Sequence, residues 1–286
     1  MGASADRAAW YEGSMSAELR EAASVILLRR TEPGFEVFLL RRHKRASFMA
    51  SAFVFPGGAT EPGEDARTAA ARELFEEAGV LLARADARLD AQTLEMPIQA
   101  MLRRRILDGA EPAAAMTAAG LAWSTDVLVP WSHWITPSVE PKRFSARFFV
   151  CELPSSQTPS FDDVETVDQT WVRPLDAIAR AGELALPPPQ LRTFWELSQL
   201  RTIEEVLAAG RARGEEPHPI MPRLCAMAAG APLCLLLPWD PEYVEHGTGD
   251  ATPLTYQPQW AIGPSRFTLE GRTWKHVAAP GSTIAG

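Results

Sequence analysis

Cysteine is scarce in this sequence: 286 residues carry three, Cys151, Cys225 and Cys234. An odd number without close metal-type spacing excludes a disulfide framework and reads as reduced thiols of a cytosolic protein. Positive charge is also in short supply. With 28 Lys and Arg against 36 Asp and Glu, the net charge is −8. That argues against broad binding of nucleic acid or an anionic membrane, while leaving room for a local basic patch. Long apolar runs are missing too, since the longest, AAGAPLCLLLPW, is broken by glycine and proline and is too short to span a bilayer. The opening MGASADRAAWYEGS has no apolar signal region, so the expected compartment is the cytoplasm.

What is present suffices for a full core and is long for one small catalytic domain. A main domain over residues 17–183, with a helical segment at about 84–126, followed by an extension over 184–286, is the expected organisation. Ala22 to Leu28 (AASVILL) and Val37 to Leu40 (VFLL) are short β-rich runs in a hairpin-like arrangement, and Phe53 to Phe55 reads as a third strand. LEMPIQAMLRRRILDG and EPAAAMTAAGLAW read as two inserted helices. LVPWSHWITP, RFSARFFVCEL and ETVDQTWV return to strand composition, and a helix follows from Pro174. Pro187-Pro188-Pro189 opens what reads as one long helix to about Arg213, because proline is tolerated in a first turn. Further strands are expected at LCLLL and near RFTLEGRTWKHV.

The stretch FPGGATEPGEDARTAAARELFEEAGVLL, residues 55 to 82, raises a physical question. At ~100° per residue, Glu73, Glu76 and Glu77 share one narrow arc of a helix, with Ala71, Leu74, Phe75 and Ala78 opposite. Like charges three and four residues apart repel. A solvated acidic face is the simplest reading of such a run. Its setting favours another. Gly57 and Gly58 make a turn in which a backbone carbonyl can point outward, Pro62 and Gly63 mark a second turn, and Gly79 sits where the helix stops. Hard divalent cations want oxygen ligands of this kind, with waters and substrate phosphates completing the shell.

Gly58, five residues, Glu64, seven residues, then Arg72-Glu73-Leu74-Phe75-Glu76-Glu77-Ala78-Gly79-Val80 resembles the Nudix box at every specified position. By background residue usage such a match arises by chance with a probability on the order of 10⁻⁷. The resemblance implies an α/β/α sandwich with a mixed sheet. It implies Mg²⁺ or Mn²⁺ as cofactor, held by Glu73, Glu76 and Glu77 with the Gly58 carbonyl, and a small nucleoside diphosphate linked to another moiety as substrate. Arg72 is expected to anchor a carboxylate of the site, with Glu64 as partner, against the alternative of a surface ion pair.

The base that takes a proton from the attacking water is one of the box glutamates or a carboxylate beyond it, among Glu140, Asp162, Asp163, Glu165 and Asp168. Arg42 and Arg45, just upstream of the glycine turn, are candidate phosphate binders, or else a solvated strand end. Strand alternation puts Arg143 and Arg147 on one face, either phosphate-reading or simply exposed. His133, between Trp131 and Trp134, reads as a packed histidine in an aromatic cluster.

The flanks resemble the branch that includes mammalian peroxisomal coenzyme A and acyl-CoA diphosphatases. The carrying stretches are LLRRHKRASFMASAFVFPGG, LVPWSHWITP, PKRFSARFF, the LPPP helix opening and LLPWDPEY. The mammalian members carry a long insertion inside the box that is absent here, and Thr-Ile-Ala-Gly stands where a peroxisomal signal would. CoA or acyl-CoA is the expected substrate. The alternatives are ADP-ribose, NADH or another nucleotide, and, from a different class, a non-catalytic ligand sensor of the same fold. The extension could close the pocket or mediate a homodimer.

Overall fold

The structure is a computed structural model, and it describes residues 18–43, 51–85, 96–162, 166–225 and 232–280. Arg45, Asp163 and Glu165 lie outside the described residues.

The apolar run at Ala22–Leu28 belongs to a longer strand, β1 (Leu19–Arg30), which pairs along its length with parallel β8 (Arg143–Glu152). At its far end β1 pairs with antiparallel β2 (Phe35–Arg42). Near its start it pairs with β4 (Gly57–Ala59), which follows the two-residue β3 (Phe53–Val54). Both faces of β1 are covered, which is why its sequence is continuously apolar rather than alternating. Ala23, Val25 and Leu27 pack under α1 (Ala66–Ala78), while Ile26 and Leu28 enter a second core on the other face.

Between α1 and β7 (Val129–Ile135) lies the insertion. It holds β5 (Ala83–Ala85), α2 (Met96–Leu107), α3 (Pro112–Ala118) and β6 (Leu121–Trp123). The two helices are where the sequence suggests. Leu121-Ala122-Trp123, expected to end the second helix, instead forms β6 and pairs with β5, because Gly120 at φ 69° has already stopped the helix. Phe75, Leu81, Leu102, Ile106, Ala115, Met116 and Leu121 make the small core that seats the insertion against α1.

The large mixed sheet, eight strands among the described residues, is completed by β9 (Thr166–Val172) beside β2 and by β7. After α4 (Pro174–Ala179) the expected single helix is two, α5 (Pro188–Leu197) and α6 (Ile203–Ala212). The break is set by Thr202, whose side chain accepts the Glu205 N–H, while the Glu205 carboxylate accepts the Arg201 N–H. β10 (Pro219–Ile220) adds to the large sheet beside β7. The chain closes in a five-stranded sheet of β11 (Arg223–Cys225), β12 (Leu233–Leu236), β13 (Gly247–Thr248), β14 (Arg266–Glu270) and β15 (Thr273–Val277), with α7 (Tyr243–His246) leading into β13.

The extension shares a core with the strands. Leu191, Phe194, Leu197, Ile203, Val206, Leu237 and Phe267 pack with Ile26, Leu28, Leu39 and Trp131. A buried ion network fastens it: Glu196 accepts from Arg192 at 2.9 Å and Arg213 at 3.0 Å. Arg192 also donates to the carbonyls of Trp260, Ile262 and Pro264, and Arg213 lies 3.9 Å over the Trp131 ring. Each guanidinium is thus met by carboxylate and carbonyl oxygens, as a buried cation requires. No helix among the described residues is long and apolar enough to cross a membrane.

Glu196→Ala leaves two buried cations uncompensated and is expected to cost about 3–5 kcal/mol in urea unfolding. A loss below about 1 kcal/mol, at unchanged slope, would show that the carbonyl ring and the tryptophans hold the arginines without it.

Candidate active site

α1 begins where Asp65 accepts the N–H groups of Arg67 and Thr68, both at 2.9 Å. It ends at Gly79 in the left-handed region, φ 67°, with its N–H on the Phe75 carbonyl. Between those caps the alanines, Leu74 and Phe75 are buried, so the orientation of the helix is fixed by packing. The glutamates are thereby turned toward Gly57 and Gly58, which lie in the short strand β4 beside β1 rather than in the turn expected from the sequence. Glu77 accepts the Gly57 N–H at 2.8 Å.

Arg72 organises the cluster. Its Nε and Nη2 donate to the two oxygens of Glu64, each at 3.0 Å, in a bidentate pair. Nη2 also donates to the Ala59 carbonyl at 3.0 Å, and Nη1 donates to Glu73 at 2.9 Å and Glu76 at 3.2 Å. With side-chain exposures of 5% for Arg72 and 11% for Glu64, the surface-pair alternative is excluded. Burial pushes the Glu76 carboxyl up from the ordinary carboxylate range, against the opposing pull of Arg72.

The two glycines differ in what a side chain would meet: a Cβ at Gly57 would collide with the backbone of Ala23 and Ser24, whereas one at Gly58 would meet only the Glu73 carboxylate, the movable end of a side chain that lies against this backbone. Glu73, Glu76, Glu77 and the Gly58 carbonyl form an all-oxygen donor set of the kind Mg²⁺ or Mn²⁺ prefers. No three His, Cys, Asp or Glu among the described residues are already gathered as a metal cluster. Glu73 and Glu76 are turned onto Arg72, and ligation requires those carboxylates to rotate outward.

The other candidates are dispersed. Arg143 is buried, donates to the Thr136 carbonyl at 3.2 Å and lies against Met221. Arg147 pairs with Glu216 at 2.7 Å, beside the Arg67–Glu215 pair. Arg67 projects roughly 180° around α1 from Glu76, so Arg147 is grouped with the opposite side of the helix from the acids. Arg42 ends β2 opposite Thr166, and its buried Nε has no hydrogen-bond partner among the described residues. His133 faces away from Trp131 and Trp134, which enter the core; its Nε2 is 2.9 Å from Ser145 Oγ, and burial lowers its pKa.

Among the candidate bases, Glu140 is exposed in the β7–β8 turn and Asp168 is exposed on β9. Asp162 accepts the Thr166 N–H and hydroxyl. It also lies near Arg103, raising that guanidinium's pKa against the larger lowering by burial.

Arg103 is a site residue the sequence reading missed. From α2 its Nε and Nη2 donate to the Glu76 carbonyl at 3.0 and 2.8 Å, and Nη2 donates to the Glu77 carbonyl at 2.9 Å. Gln99 donates to the Gly79 carbonyl at 2.7 Å, and Gln157 bonds both the N–H and the carbonyl of Leu81. The signal was available: Gln99, Leu102, Arg103 and Ile106 follow the i, i+3, i+4, i+7 spacing of one helix face. Two polar residues on the apolar side of a helix must find partners there.

Two family models match, one described as the NUDIX domain over residues 18–96 and one as the NUDT19 Nudix domain over residues 62–200. A Caenorhabditis elegans protein described as nudix hydrolase 7 is 32% identical over 66% of this chain, which spans 64% of that relative's length. The acyl-coenzyme A diphosphatase NUDT19 of Homo sapiens is 31% identical over 63% of this chain and 51% of its own, and that of Xenopus laevis 26% identical over 63% and 69%. The crystal structure of a NUDIX hydrolase from Alicyclobacillus acidocaldarius superposes with a TM-score of 0.60 at 24% identity, covering 68% of this chain and 97% of that one.

Arg72→Met removes the counter-charge of Glu64, Glu73 and Glu76 and is expected to cost about 3–5 kcal/mol at neutral pH. Without Arg72 nothing opposes the burial that already raises the Glu76 carboxyl, so the loss shrinks as pH falls and that acid takes up a proton. Equal losses at neutral and acidic pH would show that Arg72 acts through packing alone.

Proposed function

This chain belongs to the Nudix superfamily, and we propose that it is a divalent-metal-dependent pyrophosphohydrolase whose substrate is coenzyme A or an acyl-CoA. The observation that carries the reading is the placement of Glu73 and Glu77 against Gly57 and Gly58 of β4, with Arg72 holding Glu73 and Glu76 from within.

Phosphoanhydride hydrolysis needs charge neutralisation on the phosphate oxygens and a positioned water, with little covalent participation by the protein. Glu73, Glu76, Glu77 and the Gly58 carbonyl would hold Mg²⁺ or Mn²⁺, which would supply that neutralisation and activate water. The chain's own part is to present the carboxylates. The bidentate Arg72–Glu64 pair fixes the guanidinium, which holds Glu73 and Glu76 in place until their carboxylates rotate outward to ligate. A carboxylate with a pKa raised by burial, such as Glu76, is closer to the range suited to accepting a proton from water near neutral pH. Arg42, whose buried Nε has no partner among the described residues, is the arginine suited to a substrate phosphate, with Arg45 beyond it in sequence.

The substrate assignment is supported by the relatives described as acyl-coenzyme A diphosphatases and by the family model matched over residues 62–200. Hydrolysis of the CoA pyrophosphate would yield 3′,5′-adenosine bisphosphate and 4′-phosphopantetheine or its acyl form.

Hydrolysis is best assayed with Mg²⁺ or Mn²⁺ across CoA, acyl-CoAs, ADP-ribose, NADH and dinucleoside polyphosphates. Glu76→Gln is expected to lower kcat on CoA esters by at least about 100-fold, as for loss of a general base or a metal-bound carboxylate. Preference for ADP-ribose or NADH would replace the substrate while keeping the chemistry, and tight ligand binding without turnover would support a sensor.

A further inference from the structure

The inserted α2 does more than cover apolar surface. The last four carbonyls of a helix have no partner within it, and at the end of α1 those include the backbone of two glutamates of the site. Arg103 reaches across from the insertion and takes the carbonyls of Glu76 and Glu77 with three donor contacts between 2.8 and 3.0 Å, and Ser160 Oγ at 3.0 Å with its remaining Nη1. The Ser160 N–H takes the next carbonyl, that of Ala78, at 2.9 Å, and Gln99, one turn earlier on α2, takes that of Gly79. A helix C-terminus attracts a cation, and a planar guanidinium can span two adjacent carbonyls where an ammonium cannot.

Gly79 has a second role here beyond its left-handed φ of 67°. A Cβ at that position would lie 2.8 Å from Arg103 Nη1 and 3.5 Å from Ser160 Oγ. The bare glycine backbone is the floor on which the guanidinium rests. The turn that ends the glutamate helix and the arginine of the insertion are therefore built for each other.

We propose that Arg103 is a positioning residue. Acting from the inserted helix, it holds the C-terminal turn of α1 and so fixes Glu76 and Glu77 for metal binding, making the insertion part of the catalytic apparatus. This rests on the metal-dependent reading of the site, but its test need not. An arginine that merely filled space would be replaced well by any long side chain. An arginine that fixes the carbonyls leaves a local signature when its donors are lost, in the metal-free chain as well as in the loaded one.

The test compares Arg103→Met and Arg103→Lys in the full chain with Arg104→Met, an exposed neighbour paired with Asp108. Hydrogen exchange of the metal-free protein and Mn²⁺ binding by electron paramagnetic resonance are read first, then kcat and KM. Arg103→Met is expected to speed exchange at residues 76–81 selectively and to weaken Mn²⁺ binding by about tenfold, the lower end for residues that support metal ligands. kcat is expected to fall by a similar factor with KM within about twofold. Arg103→Lys should fall between, and Arg104→Met should match the parent. If Arg103→Met fails to fold, Arg103→Lys carries the comparison. Unchanged Mn²⁺ affinity, or faster exchange spread over the whole chain, would overturn the proposal. Weakened Mn²⁺ binding in a chain that hydrolyses no nucleotide diphosphate would uphold it while refuting the hydrolase reading, and turnover indifferent to Arg103→Met would do the reverse.

Discussion

The guanidinium of Arg72 is the point on which the site depends. Three carboxylates placed within reach of one another would repel and take up protons, and a helix carrying them inward would be unstable. Arg72 resolves this with a planar fork: one edge is consumed by Glu64, and the remaining Nη1 is shared between Glu73 and Glu76. Lysine could neutralise charge but could not hold three acids and the Ala59 carbonyl in fixed directions. Because Ala59 lies in β4 and β4 pairs with β1, the same side chain joins the acidic helix face to the central strand.

From that constraint the neighbouring choices follow. α1 must approach β4 closely enough for Arg72 to reach Ala59, and the small residues Ala69, Ala70 and Ala71 permit that approach over Ala23 and Val25. The close approach in turn lays the Glu73 carboxylate against Gly58 and lets the Gly57 N–H reach Glu77. The far end of the helix cannot be held by the strands, since its last carbonyls point along the axis. It is held by the insertion, through Arg103 and Gln99, and by Gln157 in the segment after β8.

Legibility in the sequence tracks how local each determinant is. The strands at Ala22–Leu28 and Val37–Leu40, the helix and its stop at Gly79, and the Arg72–Glu64 partnership could be read because their signals lie within a few turns of chain. The misread elements had local signals of competing strength. Leu121-Ala122-Trp123 looks helical beside an alanine run, yet it is released by Gly120 to pair with a strand nearly forty residues earlier. The 188–212 stretch has helical composition throughout, and the Thr202–Glu205 cap that divides it is a two-residue signal within an apolar period. Alternation correctly places Arg143 and Arg147 on one face, but which side of α1 that face meets depends on where the 215–216 segment returns. Arg103 shows the same limit: its helix face is readable, its partner is not.

The buried charges show how the fold uses arginine as connector. Arg72, Arg103, Arg192, Arg213, Arg223 and Arg266 each end on backbone carbonyls or on carboxylates of other segments. A buried cation is expensive unless every donor is met, so each of these positions tolerates few arrangements of the segments it joins. At Arg192 and Arg266 that selectivity orients the extension. At Arg72 and Arg103 it orients carboxylates whose directions matter for chemistry. The same physical device thus serves assembly in one half of the molecule and the candidate site in the other. The difference lies in where the pairs sit: Glu196 and Asp240 are enclosed with their arginines between segments of the extension, whereas Glu73 and Glu76 share Arg72 at 15% and 23% side-chain exposure, where those bonds can be exchanged for a cation.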